Sequence, residues 1–108
     1  MPDKPRIRIP AQAKQGEIIR VKTLISHVME NGLRRDRDGK LISRKIINTF
    51  TCEFNGKLIF RCDLDTAIAA NPYLQFAARI DESGVFRFAW LDDDGTTITA
   101  EERITVVQ

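Results

Sequence analysis

One histidine, His27, and two cysteines, Cys52 and Cys62, are the side chains in this sequence best suited to nucleophilic, redox or metal chemistry. A single imidazole with no nucleophile motif around it offers little from which to build a catalytic triad. A zinc site needs three or four ligands, usually closely spaced, and His27 stands far from both cysteines, so no metal site is expected. His27 reads instead as a loop or interface histidine held by hydrogen bonds rather than a proton-transfer group. The cysteines keep one chemical reading open, a small thiol-bearing redox or persulfide carrier using Cys52 or Cys62. That reading requires an accessible thiolate.

Two charged clusters carry weaker signals. The run Arg34, Arg35, Arg37, Lys40, Arg44 and Lys45 is of the kind that displaces counterions from nucleic acid, but Asp36 and Asp38 interrupt it. It has no aromatic residue on which a base would stack. It reads as a solvated long loop or hairpin tip, with an acidic protein as the next candidate. Asp92-Asp93-Asp94-Gly95 lacks the alternating ligands, later bidentate glutamate and flanking helices of a calcium loop. Between two strands it predicts a turn, because Asp and Gly both tolerate positive φ. No glycine-rich phosphate loop, nucleophile elbow or paired-cysteine motif occurs, so no catalytic or cofactor-binding residue is assigned.

The elements that would position these residues are strands. Ile19, Val21 and Ile25 fall on one face of residues 17–26, opposite Arg20 and Lys22, with the two-residue period of a half-buried strand. Leu74, Phe76, Ala78 and Ile80 repeat the pattern, as do Phe86, Phe88 and Trp90. Ile98, Ala100, Ile104 and Val106 continue it, with Glu102 as the one charge on the inward parity. Residues 6–9, 45–54 and 58–64 complete about seven short strands, which predicts an all-β, immunoglobulin-like β-sandwich with a barrel as the competing architecture. Residues 66–70, after Asp65, have room for about one helical turn. Trp90 follows both cysteines, so the disulfide signature of true immunoglobulin domains is missing.

The hairpin at Asn55-Gly56 sets which side chains share a face. A two-residue loop would pair Phe54 with Lys57 and scatter the apolar residues. A three-residue loop with Gly56 in a G1 bulge gathers Phe50, Cys52, Phe54, Leu58, Phe60 and Cys62 on one face, and is preferred. Cys52 then lies opposite Leu58 or Phe60, an internal disulfide is not expected, and both thiols read as small buried hydrophobes.

Length and composition agree with this picture. The 108 residues have room for one domain, residues 1–108, and 43% hydrophobic with 30% charged content is that of a soluble globular chain. No apolar run approaches the roughly 18 residues of a membrane span. Lys4, Arg6 and Arg8 among three prolines, with no apolar stretch following, do not read as a cleavable signal peptide. Residues 1–48 hold 12 Lys/Arg against 5 Asp/Glu, while residues 49–108 hold 5 against 10, so a net +2 conceals halves of +7 and −5. Such a dipole orients partners during encounter, unless folding mixes the halves on one surface.

The sequence closely resembles the SoxZ family over nearly its whole length. The resemblance is carried by His27-Val28-Met29-Glu30-Asn31-Gly32, Phe54-Asn55-Gly56, Ala70-Asn71-Pro72-Tyr73, Ser83-Gly84, Trp90 and Asp92 to Gly95. Asn31, where threonine is expected, is a small departure, and neither cysteine is a family hallmark. The resemblance implies a non-catalytic subunit that binds SoxY in the SoxYZ carrier complex of thiosulfate oxidation. There, SoxY carries the sulfur intermediate on a cysteine in a glycine-rich arm and separate enzymes process it. Residues 104–108 contain neither glycine nor thiol, and a thiol held inside a strand cannot swing between active sites. A periplasmic location reached by co-export with SoxY is also implied. The expected partner is therefore SoxY in a lasting heterodimer burying above about 1,200 Å², with the processing enzymes touched indirectly and a homodimer possible when the chain is isolated. No nucleic acid, membrane or cofactor is expected. Loop residues His27, Met29, Glu30, Asn31, Arg34 and Arg35, with Asn71 and Tyr73, are the expected contacts, because core packing does not explain these polar and aromatic positions.

Overall fold

Among the described residues, alternating apolar side chains give eight strands in two sheets, β1 (Pro5–Arg8), β2 (Gln12–Lys14), β3 (Glu17–Ile25), β4 (Ile47–Phe54), β5 (Lys57–Asp63), β6 (Tyr73–Ile80), β7 (Gly84–Asp92) and β8 (Thr97–Val107). The structure, a computed structural model, describes residues 5–25, 33, 35–41, 46–64 and 73–107. The helical turn expected at residues 66–70 lies outside them. A three-stranded sheet has the order β1-β3-β6 and a five-stranded sheet the order β2-β8-β7-β4-β5. This is the expected immunoglobulin-like sandwich, and the barrel alternative is not what forms.

The eighth strand comes from a split of the first. β1 pairs antiparallel with β3, and the chain then crosses to the other sheet, where β2 runs parallel to β8. Pro10, which has no N–H to give a ladder, stands at the crossing. Only residues 6–9 carry a strand signal in the sequence, and three-residue β2, with Ala13 as its one inward side chain, is too short to show a period.

Ile19, Val21, Ile25 and Ile80 from the smaller sheet meet Ile47, Phe50, Cys52, Phe86, Phe88, Trp90 and Ile104 from the larger one, all buried. Phe50 links the layers, lying 5.3 Å from Trp90, 6.0 Å from Phe60 and 6.3 Å from Phe76, ring centre to ring centre. Glu102, although on the inward parity, is exposed, so its charge is not buried.

The β4–β5 hairpin corrects the expected register. Phe54 pairs with Lys57 across a two-residue loop, and Asn55 (φ 50°) and Gly56 (φ 83°) are both left-handed, as a type I′ turn requires. The extra residue is Ile59, a bulge in β5: Glu53 faces Leu58 while Cys52 faces Phe60. The bulge, not the loop, returns Phe60 and Cys62 to the inner face. Leu58 is left out of that face and is 54% exposed.

Candidate docking flank

The two sheets end on the same side of the sandwich in β5 and β6, and among the described residues each of these strands has a hydrogen-bonded neighbour on one side only. Their inward side chains meet there. The rings of Phe60 and Phe76 stack with centres 4.3 Å apart and planes 2° from parallel, closing the seam between the layers. Closure is partial, since Phe60, Cys62, Leu74 and Phe76 are all half-buried. Leu58 and Ile59, 54% and 41% exposed, extend the apolar surface along β5. Lys57 and an Arg61–Asp63 ion pair at 3.3 Å supply charge along this edge. Apolar side chains beside two strand edges that no described residue pairs suit association with another protein, by added strand pairing, by side-chain burial, or by both.

The thiols do not suit carrier chemistry equally. Cys52 is fully buried in β4, and that burial, with Glu53 adding negative charge nearby, pushes its thiol up to about 12. At neutral pH it is a thiol packed among rings, with no thiolate to offer. Cys62 lies across from Phe50 on the edge strand and is half-buried, a correction to the expectation that both thiols are buried. The two cysteines are diagonal neighbours in one sheet, and both are unbridged. Among the described residues no three His, Cys, Asp or Glu side chains converge as a metal site.

Of the expected contact residues, His27, Met29, Glu30, Asn31, Arg34 and Asn71 lie outside the described residues. Arg35 forms an isolated bridge with Leu41 and its Nη1 donates to the Gly39 carbonyl at 2.7 Å. The Asp36 carboxylate accepts from the amides of Asp38 and Lys40, so residues 35–41 form a tight, exposed hairpin tip, while Arg34, Arg44 and Lys45 of the basic run lie outside the described residues. Tyr73 opens β6 opposite Leu24, 47% exposed, and its hydroxyl donates to the Gln75 side chain at 3.3 Å. Arg35 and Tyr73 therefore sit on separate elements, and no hydrogen bond joins them. Leu58 and Ile59 were not among the expected contacts, because alternation without the bulge hides Leu58 inside. The available signal was Ile59, an apolar residue on the outward parity of the favoured register.

Three of the segments that carry the family resemblance prove to be structural. Val85 N–H donates to Asn55 Oδ1 at 3.0 Å, Asn55 N–H donates to the Val85 carbonyl at 3.1 Å, and Asn55 Nδ2 donates to the Ser83 carbonyl at 3.3 Å. A Cβ at position 84 would fall inside the Asn55 amide, so Gly84 is what lets the two loops close on one another. Ser83 Oγ then accepts from Val106 N–H at 2.7 Å, tying in the last strand. Asp92 Oδ1 accepts from the amides of Asp94 and Thr96, and Gly95 takes φ 89°, which is the expected turn.

The family model described as Sulphur oxidation protein SoxZ matches residues 7–103. None of the curated proteins matches the chain. Among solved structures, a superoxide reductase (neelaredoxin) from Ignicoccus hospitalis is similar at 17% identity with a TM-score of 0.73, over 95% of this chain and 80% of that one. The sulfur carrier protein SoxY from Chlorobium limicola f thiosulfatophilum is similar at 12% identity with a TM-score of 0.68, over 96% of this chain and 79% of that one. At such identities the likeness is one of fold.

Proposed function

This chain belongs to the SoxZ family, and from that premise we propose that it is a non-catalytic scaffold subunit that binds SoxY, forming the SoxYZ carrier complex of thiosulfate oxidation. The family match across residues 7–103 carries the reading. The buried Cys52 supports it, because a thiol pushed up to about 12 inside a strand cannot load or hand on sulfur at neutral pH. SoxY docks on the flank of β5 and β6, where Leu58 and Ile59 are exposed beside the half-buried Phe60–Phe76 pair. Covering these side chains removes apolar surface from water, and strand edges that no described residue pairs gain partners. The cargo then rides on SoxY, this subunit shapes the surface that the processing enzymes meet, and the complex works in the periplasm.

Co-expression with SoxY followed by size exclusion at micromolar concentration tests the reading. Both chains are expected in one peak, and clean separation overturns the scaffold assignment. The location of the contact is tested by Leu58→Glu with Ile59→Arg. Both side chains are exposed, so the variant folds, and it is expected to lose co-elution by burying two charges in an apolar contact. Undiminished co-elution of this variant moves SoxY off the flank without touching the family reading. Recovery of the complex in the periplasmic fraction of a native host checks the location.

A further inference from the structure

The outer face of the three-stranded sheet is a cationic surface that few described residues balance. Register places its side chains in four rows: Arg6, Leu24 and Tyr73; Arg8, Lys22 and Gln75; Arg20 and Ala77; Ile18 and Arg79. Five of these ten residues are cations and none is an acid. Arg79 pairs with Asp81 at 3.2 Å, just beyond the strand, whereas Arg6, Arg8, Arg20 and Lys22 make no ion pair with a described residue. Arg8 and Lys22 stand directly opposite each other, an arrangement that destabilises a sheet. The other sheet is built the opposite way: Arg87 lies between Glu53 and Glu101 in register. A shallow depression of about 320 Å³ opens on the basic face between Arg6, Arg8, Lys22, Leu24 and Tyr73.

We infer that this face is a second docking surface, for an acidic segment of another protein, separate from the flank assigned to SoxY. Charge complementarity selects the occupant. Four unbalanced cations attract carboxylates, and Leu24, Tyr73 and Ile18 give the apolar contacts that a peptide or protein surface supplies and a phosphate backbone does not. Three strands and four rows make a patch of roughly 10 by 20 Å, the footprint of one extended segment. Arg20 and Lys22 from β3, Arg6 and Arg8 from β1 and Arg79 from β6 combine here, so part of the basic half of the sequence becomes one basic face. Contact through exposed charges gives fast, salt-sensitive association, which suits successive partners more than a permanent one.

The test titrates the isotope-labelled full chain with a twelve-residue oligoglutamate peptide, and in parallel with a twelve-nucleotide oligothymidylate, by NMR. Peptide-induced shifts are expected on β1, β3 and β6, with affinity falling at least about tenfold between 50 and 200 mM salt, as screening of several charge pairs requires. Arg8→Glu with Lys22→Glu is expected to weaken peptide binding at least about tenfold, by reversing the central row, while leaving the melting midpoint and SoxY co-elution unchanged. Undiminished peptide binding by that variant overturns the inference, as do shifts centred on residues 35–41. Tighter binding of the oligonucleotide overturns it in favour of nucleic acid. Loss of SoxY co-elution overturns it too, because the face would then belong to the lasting interface; failure of the wild-type chain to co-elute bears on the scaffold reading alone.

Discussion

Cys52 shows how burial in a strand removes a residue from chemistry. Its thiol has an ordinary value of 9.0 and is pushed up to about 12 in the fold, chiefly by desolvation and then by Glu53. The folded state thus holds a proton that the unfolded chain gives up above pH 9. The stabilisation is complete below pH 9 and is lost as pH rises from 9 towards 12. Denaturant midpoints across that range are expected to fall more steeply for the native chain than for Cys52→Ala, which lacks the group and is less stable at neutral pH by about 1 kcal/mol. With iodoacetamide at neutral pH, half-buried Cys62 is expected to react first and Cys52 only on unfolding. Rapid native labelling of either cysteine would revive the carrier reading. Asn55 and Gly84 allow a test of the loop lock. Gly84→Ala is expected to cost about 1–3 kcal/mol, by forcing the Asn55 amide out of its hydrogen bonds. In an Asn55→Gly background, which keeps the turn and vacates the space, the same substitution should cost at least about 0.5 kcal/mol less. Asn-Gly is legible in sequence as a turn. Its contact with Ser83-Gly84 is not, because only folding brings β4–β5 against β6–β7.

At the level of the strands, two-residue alternation reported the inner faces of β3, β6 and β7 correctly, since Ile19, Val21 and Ile25, or Phe86, Phe88 and Trp90, bury together with no irregularity between them. It failed at β5 for a definite reason. An unbroken period from Asn55-Gly56 has to choose between a two-residue turn and an inward Phe60, and the chain obtains both by inserting Ile59 as a bulge. The candidate flank was illegible for the same reason, because its exposed residues are those that the bulge displaces. Phe50 is the element-level clamp, touching Phe60 and Trp90 in its own sheet and Phe76 in the other. Phe50→Ala is expected to cost about 3–5 kcal/mol in chemical denaturation, near the upper range for a buried ring. It should also increase native labelling of Cys62, its cross-strand partner. A loss under about 1 kcal/mol would mean that the layers are held elsewhere.

For the whole molecule, the division of the sequence into halves of +7 and −5 survives folding in part. Arg6, Arg8, Arg20 and Lys22 from the basic half share one sheet face, while Arg35, Arg37 and Lys40 sit on a separate hairpin tip with Asp36 and Asp38 among them. The apolar flank lies where the two sheets end, and its outermost side chains, Leu58 and Ile59, stay in water until something covers them. The isolated chain exposes Leu58 and Ile59, and that surface can be shared by two copies related by a two-fold axis, each offering the same edges to the other. The apparent mass of the isolated chain is therefore expected to rise with concentration in sedimentation velocity. The rise should persist in moderate salt, since the contact is apolar, and vanish in the Leu58→Glu, Ile59→Arg variant. Adding SoxY in equal amount should replace the homodimer with a heterodimer, because the two associations compete for one surface. A homodimer that persists beside bound SoxY would mean that self-association uses another face. Salt-sensitive self-association would point away from the flank and towards the charged surfaces.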